Sequence, residues 1–307
     1  MIRFLLFTVL YLVTFICSFA QVTTEDILVK NDSIELPGTL SFTKKNEPLV
    51  VWIHGSGNVD RNGNQGNVIK ANYIKQFRNA MNANNIAFFS YDKRTSNKKN
   101  FKYLKDISFE DLVEDVKISI QYLKKNYHFS KIVLVGHSQG SLIGALLAND
   151  VDMYISLAGP GESVDKAIVR QVSQSAPHLK LITELHLQEL NKTGTIKEVN
   201  PMLLSLFKPQ NQAFLISWMK YNPIEVFKTI QKPTLIINGT KDSQVTIADA
   251  KKLHNSLPTS QLVIIENMNH VLKDIIKDED NRKSYFSSEF PISKELISTI
   301  VTFIKKQ

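Results

Sequence analysis

The 307 residues are 43% hydrophobic, enough for a large core, and suit one α/β domain with insertions better than two independent domains. Cys17 is the single cysteine, which excludes a disulfide framework and a thiolate metal site. The net charge of +8 is spread over lysines such as Lys98-Lys99, Lys124-Lys125, Lys251-Lys252 and Lys305-Lys306. They make no basic face interleaved with aromatics, so nucleic acid is not a partner.

Arg3, the apolar run Phe4 to Ile16, and Ser18-Phe19-Ala20 before Gln21 have the order of a secretory signal peptide, residues 1–20. The run is short for a membrane span, which needs about 20 apolar residues. An uncleaved anchor is the alternative, and lipidation at Cys17 is rejected because bulky Phe15 and Ile16 precede it. Cleavage would leave residues 21–307 without cysteine, which fits export to a bacterial periplasm or the medium and no stable membrane insertion.

Ile27 to Phe42 alternates around Pro37-Gly38 and predicts a hairpin at a sheet edge. Leu49 to Ile53 predicts a buried strand ending in His54-Gly55-Ser56-Gly57, followed by a polar loop and a helix over 71–82. Ile86 to Tyr91 predicts the next strand, and Phe109 to Lys125 an amphipathic helix with Leu112, Val113, Val116, Ile120 and Leu123 on one side. Lys131 to Val135 and Val151 to Leu157 predict two more buried strands. From Glu162 to about Phe227 the spacing predicts helices only, an insertion at a strand's C-terminal end where a lid would sit. Its second half is apolar, which serves packing, a substrate surface, or both. Strands 233–237 and 261–265 and helices 247–257 and 292–305 complete the alternation. The expected fold class is α/β, a mostly parallel sheet flanked by helices.

Gly136-His137-Ser138-Gln139-Gly140 fits G-x-S-x-G between a predicted strand and an apolar helix, the setting of a nucleophile elbow. A serine hydroxyl needs a base and a group that orients the base. Asp242 follows strand 233–237 and His270 follows strand 261–265, in the chain order serine, acid, histidine. Glu162 is the second choice for the acid, and Glu266 sits close to the strand end. His54 and His137 are expected as loop supports, and His128, His178, His186 and His254 as surface or packing residues. An oxyanion needs two preorganised N–H donors. The backbone N–H of Gln139 is one expectation, and that of Ser56, with Gly57 close behind, is the other.

HGSG at 54–57, Asp60-Arg61-Asn62-Gly63-Asn64, YDKRT at 91–95, GHSQG at 136–140 and INGTKDSQV at 237–245 together resemble the α/β-hydrolase superfamily. The likeness covers nearly all of residues 21–307, and is to a bacterial branch of acyl esterases and serine aminopeptidase-like and dienelactone hydrolase-like proteins. It implies a Ser138–Asp242–His270 triad acting on small-molecule esters, with no metal or organic cofactor. It also implies that Asp60, Arg61, Asp92 and Arg94 tie two loops near the site. An aminopeptidase would share the triad and take an acidic pocket from Glu162, Glu184 or Glu189. A catalytically silent binding protein is the reading from another class.

Overall fold

A computed structural model describes residues 21–306, so the signal-peptide expectation lies outside the described residues. β1 (Thr23–Asn31) and β2 (Ile34–Phe42) pair antiparallel, with Ile27, Val29, Leu36 and Leu40 buried. Their turn is Asp32-Ser33, with Asp32 in the left-handed region at φ 52°, and not Pro37-Gly38 as the sequence suggests. Pro37 instead lies in register with Leu28, and its carbonyl accepts from Asp92 N at 2.7 Å. Gly38 is there for space, since a Cβ would come within 2.6 Å of the Phe89 ring.

β3 (Leu49–Ile53) is wholly buried, as continuous apolar strands in two-sided sheets are. α1 (Tyr73–Asn82) leads to β4 (Ala87–Tyr91). α2 (Phe109–Asn126) begins in a capping box, in which Ser108 and Asp111 satisfy each other's backbone N–H. β5 (Ile132–His137) enters α3 (Gln139–Leu147), and β6 (Met153–Leu157) precedes the helical insertion. That insertion holds α4 (Val164–Ser175), α5 (Lys180–Thr193), α6 (Leu204–Phe207), α7 (Pro209–Met219) and α8 (Pro223–Phe227). β7 (Thr234–Gly239), α9 (Ile247–Ser256), β8 (Gln261–Ile265), the short α10 (Asp280–Ser284) and α11 (Lys294–Lys306) follow.

The eight strands form one sheet in the order β1-β2-β4-β3-β5-β6-β7-β8, parallel from β4 to β8. Alternate residues of each strand feed two cores. Val51, Ile53 and Leu134 pack against Val116 and Ile120 of α2 on one face. Val50, Trp52 and Val133 pack against Phe77 of α1 and Ile300 of α11 on the other. The insertion has its own core, including Ile168, Leu190 and Phe207. It docks on the start of α2, where Phe109 stacks on Trp218 at 5.5 Å and Phe109 N donates to Ser217 Oγ at 2.7 Å. Among the described residues no helix is long and apolar enough to cross a membrane. This is the α/β-hydrolase architecture, and it brings the loops after β3, β5, β7 and β8 to one end of the sheet.

Candidate active site

β5 runs straight into the turn that carries Ser138, whose φ of 54° and ψ of −120° are rare for a side-chain-bearing residue. Such strain persists only where packing leaves no alternative. Here Gly136 and Gly140 cross backbone at contact distance: a Cβ on Gly136 would lie 2.3 Å from Gly140 O, and one on Gly140 2.3 Å from Ile53 O. Ser138 N donates to Leu157 O at 2.9 Å, which pins the turn to the neighbouring strand.

Asp242 stands in the loop after β7 with a fully buried side chain. Its Oδ2 accepts from His270 Nδ1 at 2.8 Å, and its Oδ1 accepts from the backbone N–H groups of Gln244 and Val245 at 2.8 and 2.9 Å. Both carboxylate oxygens are thus committed, which fixes the acid and turns the imidazole so that Nε2 is the free nitrogen. The His270 loop is tight, with Asn267 and Leu272 in the left-handed region at φ 60° and 65°. His137 supports it: a ring nitrogen facing a carbonyl must carry the hydrogen, so Nε2 donates to His270 O at 2.8 Å. Burial first, and then the neighbouring His270, push the His137 pKa down to about 3, so it stays neutral.

Ser138 and His270 line one cleft of about 1150 Å³. The loop after β3 lies against the serine, since a Cβ on Gly55 would sit 3.2 Å from Ser138 Cβ. Ser56 and Gln139 both line the cleft. Gln139 is the first residue of α3, so its N–H has no acceptor within the helix. Leu206, Phe214, Leu215 and Trp218 of the insertion form an apolar wall, so this half of it both packs on the body and faces the cavity. Tyr285 and Phe286, from the segment after β8, line the cleft as well and carried no signal in the sequence.

Glu162 also lines the cleft, but its carboxylate is held by Arg170 Nε at 2.6 Å, with Lys252 at 3.8 Å. Arg170 in turn bridges to Asp249 at 3.1 Å. Glu184 pairs with Lys180, Glu189 accepts from Lys197 N, and neither lines the cleft. Glu266 is exposed at the end of β8.

The expected loop tie is found in part. Arg61 clasps Asp92 through Nε and Nη2 at 3.1 and 2.9 Å. Arg94 instead turns to α2, with Nε and Nη2 on Asp115 at 2.7 and 2.8 Å, while the Asp60 Oδ1 accepts from Asn62 N and Asn64 N of its own loop. No sequence signal marks the lysine between Asp92 and Arg94. Lys93 is buried, and its Nζ donates to Gly55 O at 2.9 Å and to Gln139 Oε1 at 3.1 Å.

The BD-FAE family matches residues 39–257. Esterase EstD of Thermotoga maritima is 23% identical over 254 residues, 77% of this chain, and the chain spans 58% of the length of that relative. An esterase of Pyrococcus furiosus superposes with a TM-score of 0.62 at 14% identity, over 94% of this chain and 91% of that one. Est1E from Butyrivibrio proteoclasticus, in its form with ferulic acid bound, superposes with a TM-score of 0.59 at 17% identity, over 91% and 96% of the two chains. With the eight-stranded sheet and the family match over most of its length, the chain belongs to the BD-FAE family of the α/β-hydrolase superfamily.

Proposed function

We propose that this protein is a serine hydrolase of carboxylic esters. Ser138 is the nucleophile, His270 the base and then the acid, and Asp242 the group that orients His270. The reading rests on one observation: an imidazole held by a buried, fully committed carboxylate beside a strained serine in the same cleft. In the reaction His270 Nε2 takes the serine proton as Oγ bonds to the ester carbonyl carbon. The oxyanion settles toward the N–H groups of Gln139 and Ser56, the alcohol leaves with the proton from His270, and water then releases the acid from the acyl-enzyme. The proton transfer requires Ser138 Oγ and His270 Nε2 to come within hydrogen-bond reach once substrate is bound, as pairs that are loose without substrate commonly do.

The apolar wall of Phe214, Leu215 and Trp218 supports a hydrophobic acyl or aryl group on the acid side. The named relatives are esterases, and the neighbour with ferulic acid bound brings aromatic acids into the substrate class. A peptidase specific for a free amine has less support, because Glu162 is already balanced by Arg170 and Lys252. Export is part of the proposal, with processing before Gln21.

Three measurements test it. A fluorophosphonate probe should label the wild type and leave Ser138→Ala unlabelled; equal labelling of both would sink the serine assignment. A panel of p-nitrophenyl esters, methyl ferulate and aminoacyl anilides should show esters turned over faster, and faster anilide turnover would reverse the substrate class. N-terminal sequencing of the secreted protein should begin at Gln21.

A further inference from the structure

The molecule contains a buried cation that the triad does not use. Lys93 follows β4, is 6% exposed and lines the cleft. None of the ion pairs among the described residues includes it, although burying an ammonium without an anion is costly. Its two partners are the two segments from which oxyanion donors are expected. Nζ donates to Gly55 O at 2.9 Å, the carbonyl of the peptide unit whose N–H is that of Ser56. It also donates to Gln139 Oε1 at 3.1 Å, the side chain of the residue whose N–H is the other donor.

We propose that Lys93 is a positioning residue for the oxyanion hole, acting while its ammonium is charged: it clamps the loop after β3 to the start of α3 and polarises the Gly55–Ser56 peptide. A cation on the carbonyl of that peptide draws electron density from its N–H, making Ser56 a stronger donor toward a developing negative charge. The same charge fixes Gln139, so both donors are held in register at the moment the oxyanion forms. Preorganised donors of this kind need no rearrangement during the reaction, which is where their rate effect arises. The inference rests on the ester hydrolase reading above.

The groups around Lys93 bear on its charge. Burial pushes its pKa down to about 8, and Asp115 on α2 opposes that shift. Asp115 is itself claimed by Arg94, which limits its help. His54 at the end of β3 is pushed well below its ordinary value by burial and by Lys93, and His137 is neutral as well, so neither adds a second positive charge beside the ammonium. The ammonium therefore discharges within the working range of a pH profile.

The test is kcat and KM for p-nitrophenyl acetate between pH 6 and 10, with active sites counted by fluorophosphonate titration and folding followed by circular dichroism. In the wild type kcat should fall on an alkaline limb centred near pH 8 while KM stays within about threefold. Removing a direct oxyanion donor costs about 10²–10³ in kcat, so the indirect loss in Lys93→Met should be about tenfold at pH 7, with the limb gone. Lys93→Arg keeps its charge above pH 10 and should be more active than the wild type at pH 9.5. A Lys93→Met variant with kcat within twofold of wild type, or one that keeps the alkaline limb, would overturn the proposal. Should Lys93→Met not fold, the wild type decides: kcat flat from pH 7 to 9.5 with the fold intact overturns it. A wild type that neither hydrolyses esters nor takes the label would instead refute the ester hydrolase reading itself.

Discussion

A serine hydroxyl ionises far above neutral pH, so the proposed role of Ser138 depends on the His270–Asp242 pair. Asp242 has each oxygen occupied by a donor that stays in place. The two backbone N–H groups hold one oxygen in place, and the remaining oxygen selects the histidine tautomer with hydrogen on Nδ1. Asp242→Asn would present an amide where the carboxylate accepts, favouring the wrong tautomer. We expect a folded protein with kcat lower by about 10⁴, the loss seen for the equivalent change in the best-studied triad. Glu162→Gln should change kcat by less than about tenfold, since that carboxylate is balanced by Arg170 and meets no reacting group. Steady-state kinetics on the two variants checks the pair, and a crippled Glu162→Gln beside a mild Asp242→Asn would reverse the acid assignment.

Among the elements, the crossing of β3, β5 and α3 is a tight junction of backbone against backbone. Gly140 lies against the carbonyls of Ile53 and His54, where an added Cβ would stand 2.3 and 2.6 Å from the two oxygens. Backbone cannot yield as a flexible side chain can, so Gly140→Ala must push α3 off the sheet and carry Gln139 with it. We expect a loss of about 3 kcal/mol or more by urea unfolding, as for severe overpacking. Gly66 makes the contrast: its φ of 56° is left-handed, but nothing lies within 4 Å of its Cβ direction. Gly66→Ala should cost only the backbone term, about 1–2 kcal/mol, with activity kept. Equal losses for the two would mean that the crossing is looser than its geometry implies. The insertion depends on a second junction, the stack of Phe109 on Trp218, which adds about 0.5–1.5 kcal/mol beyond the area buried. The capping box at Ser108 starts α2 at the residue that Trp218 needs.

Across the whole molecule, residues 266–293 reach from the end of β8 to α1 and are held by a second buried lysine. Lys273 is fully buried, and its Nζ donates to the carbonyls of Ala71, Ser284 and Ser287 at 3.1, 3.0 and 2.6 Å. Asn269 reinforces it through Asn281 and Ser284. Burial lowers the Lys273 pKa to about 8, whereas an unfolded lysine titrates near its ordinary 10.5. Between those values the unfolded chain binds the extra proton, so this group's contribution to stability rises with pH across the window; below about pH 8 its full cost is present. Lys273→Met leaves three carbonyls without a donor and should be less stable at pH 7 by about 1–3 kcal/mol. The wild type should then gain on the variant by about 1 kcal/mol more at pH 9. Urea melts of both proteins at the two pH values check this, and a gap that stays constant or narrows would show that Lys273 does not titrate there.

What the sequence determined by itself is the part of the molecule written in local chemistry. Apolar runs of five or six residues such as Leu49 to Ile53, alternating with amphipathic helical stretches, point to a parallel sheet covered on both faces, so the sheet and its helices were legible. Glycines at 136 and 140 around Ser138, and Asp242 and His270 each just past a strand, marked the candidate site in chain order. The strand register put Pro37-Gly38 inside β2, because the contact that explains Gly38 comes from Phe89, far along the chain. The partner of Arg94 was decided by the docking of α2, and the cleft wall at Tyr285 and Phe286 by a segment with no periodicity of its own. Lys93 and Lys273 read as two more surface lysines among many. Only the tertiary structure buries them, because their partners are backbone carbonyls and a glutamine amide, groups that every sequence has and that none marks.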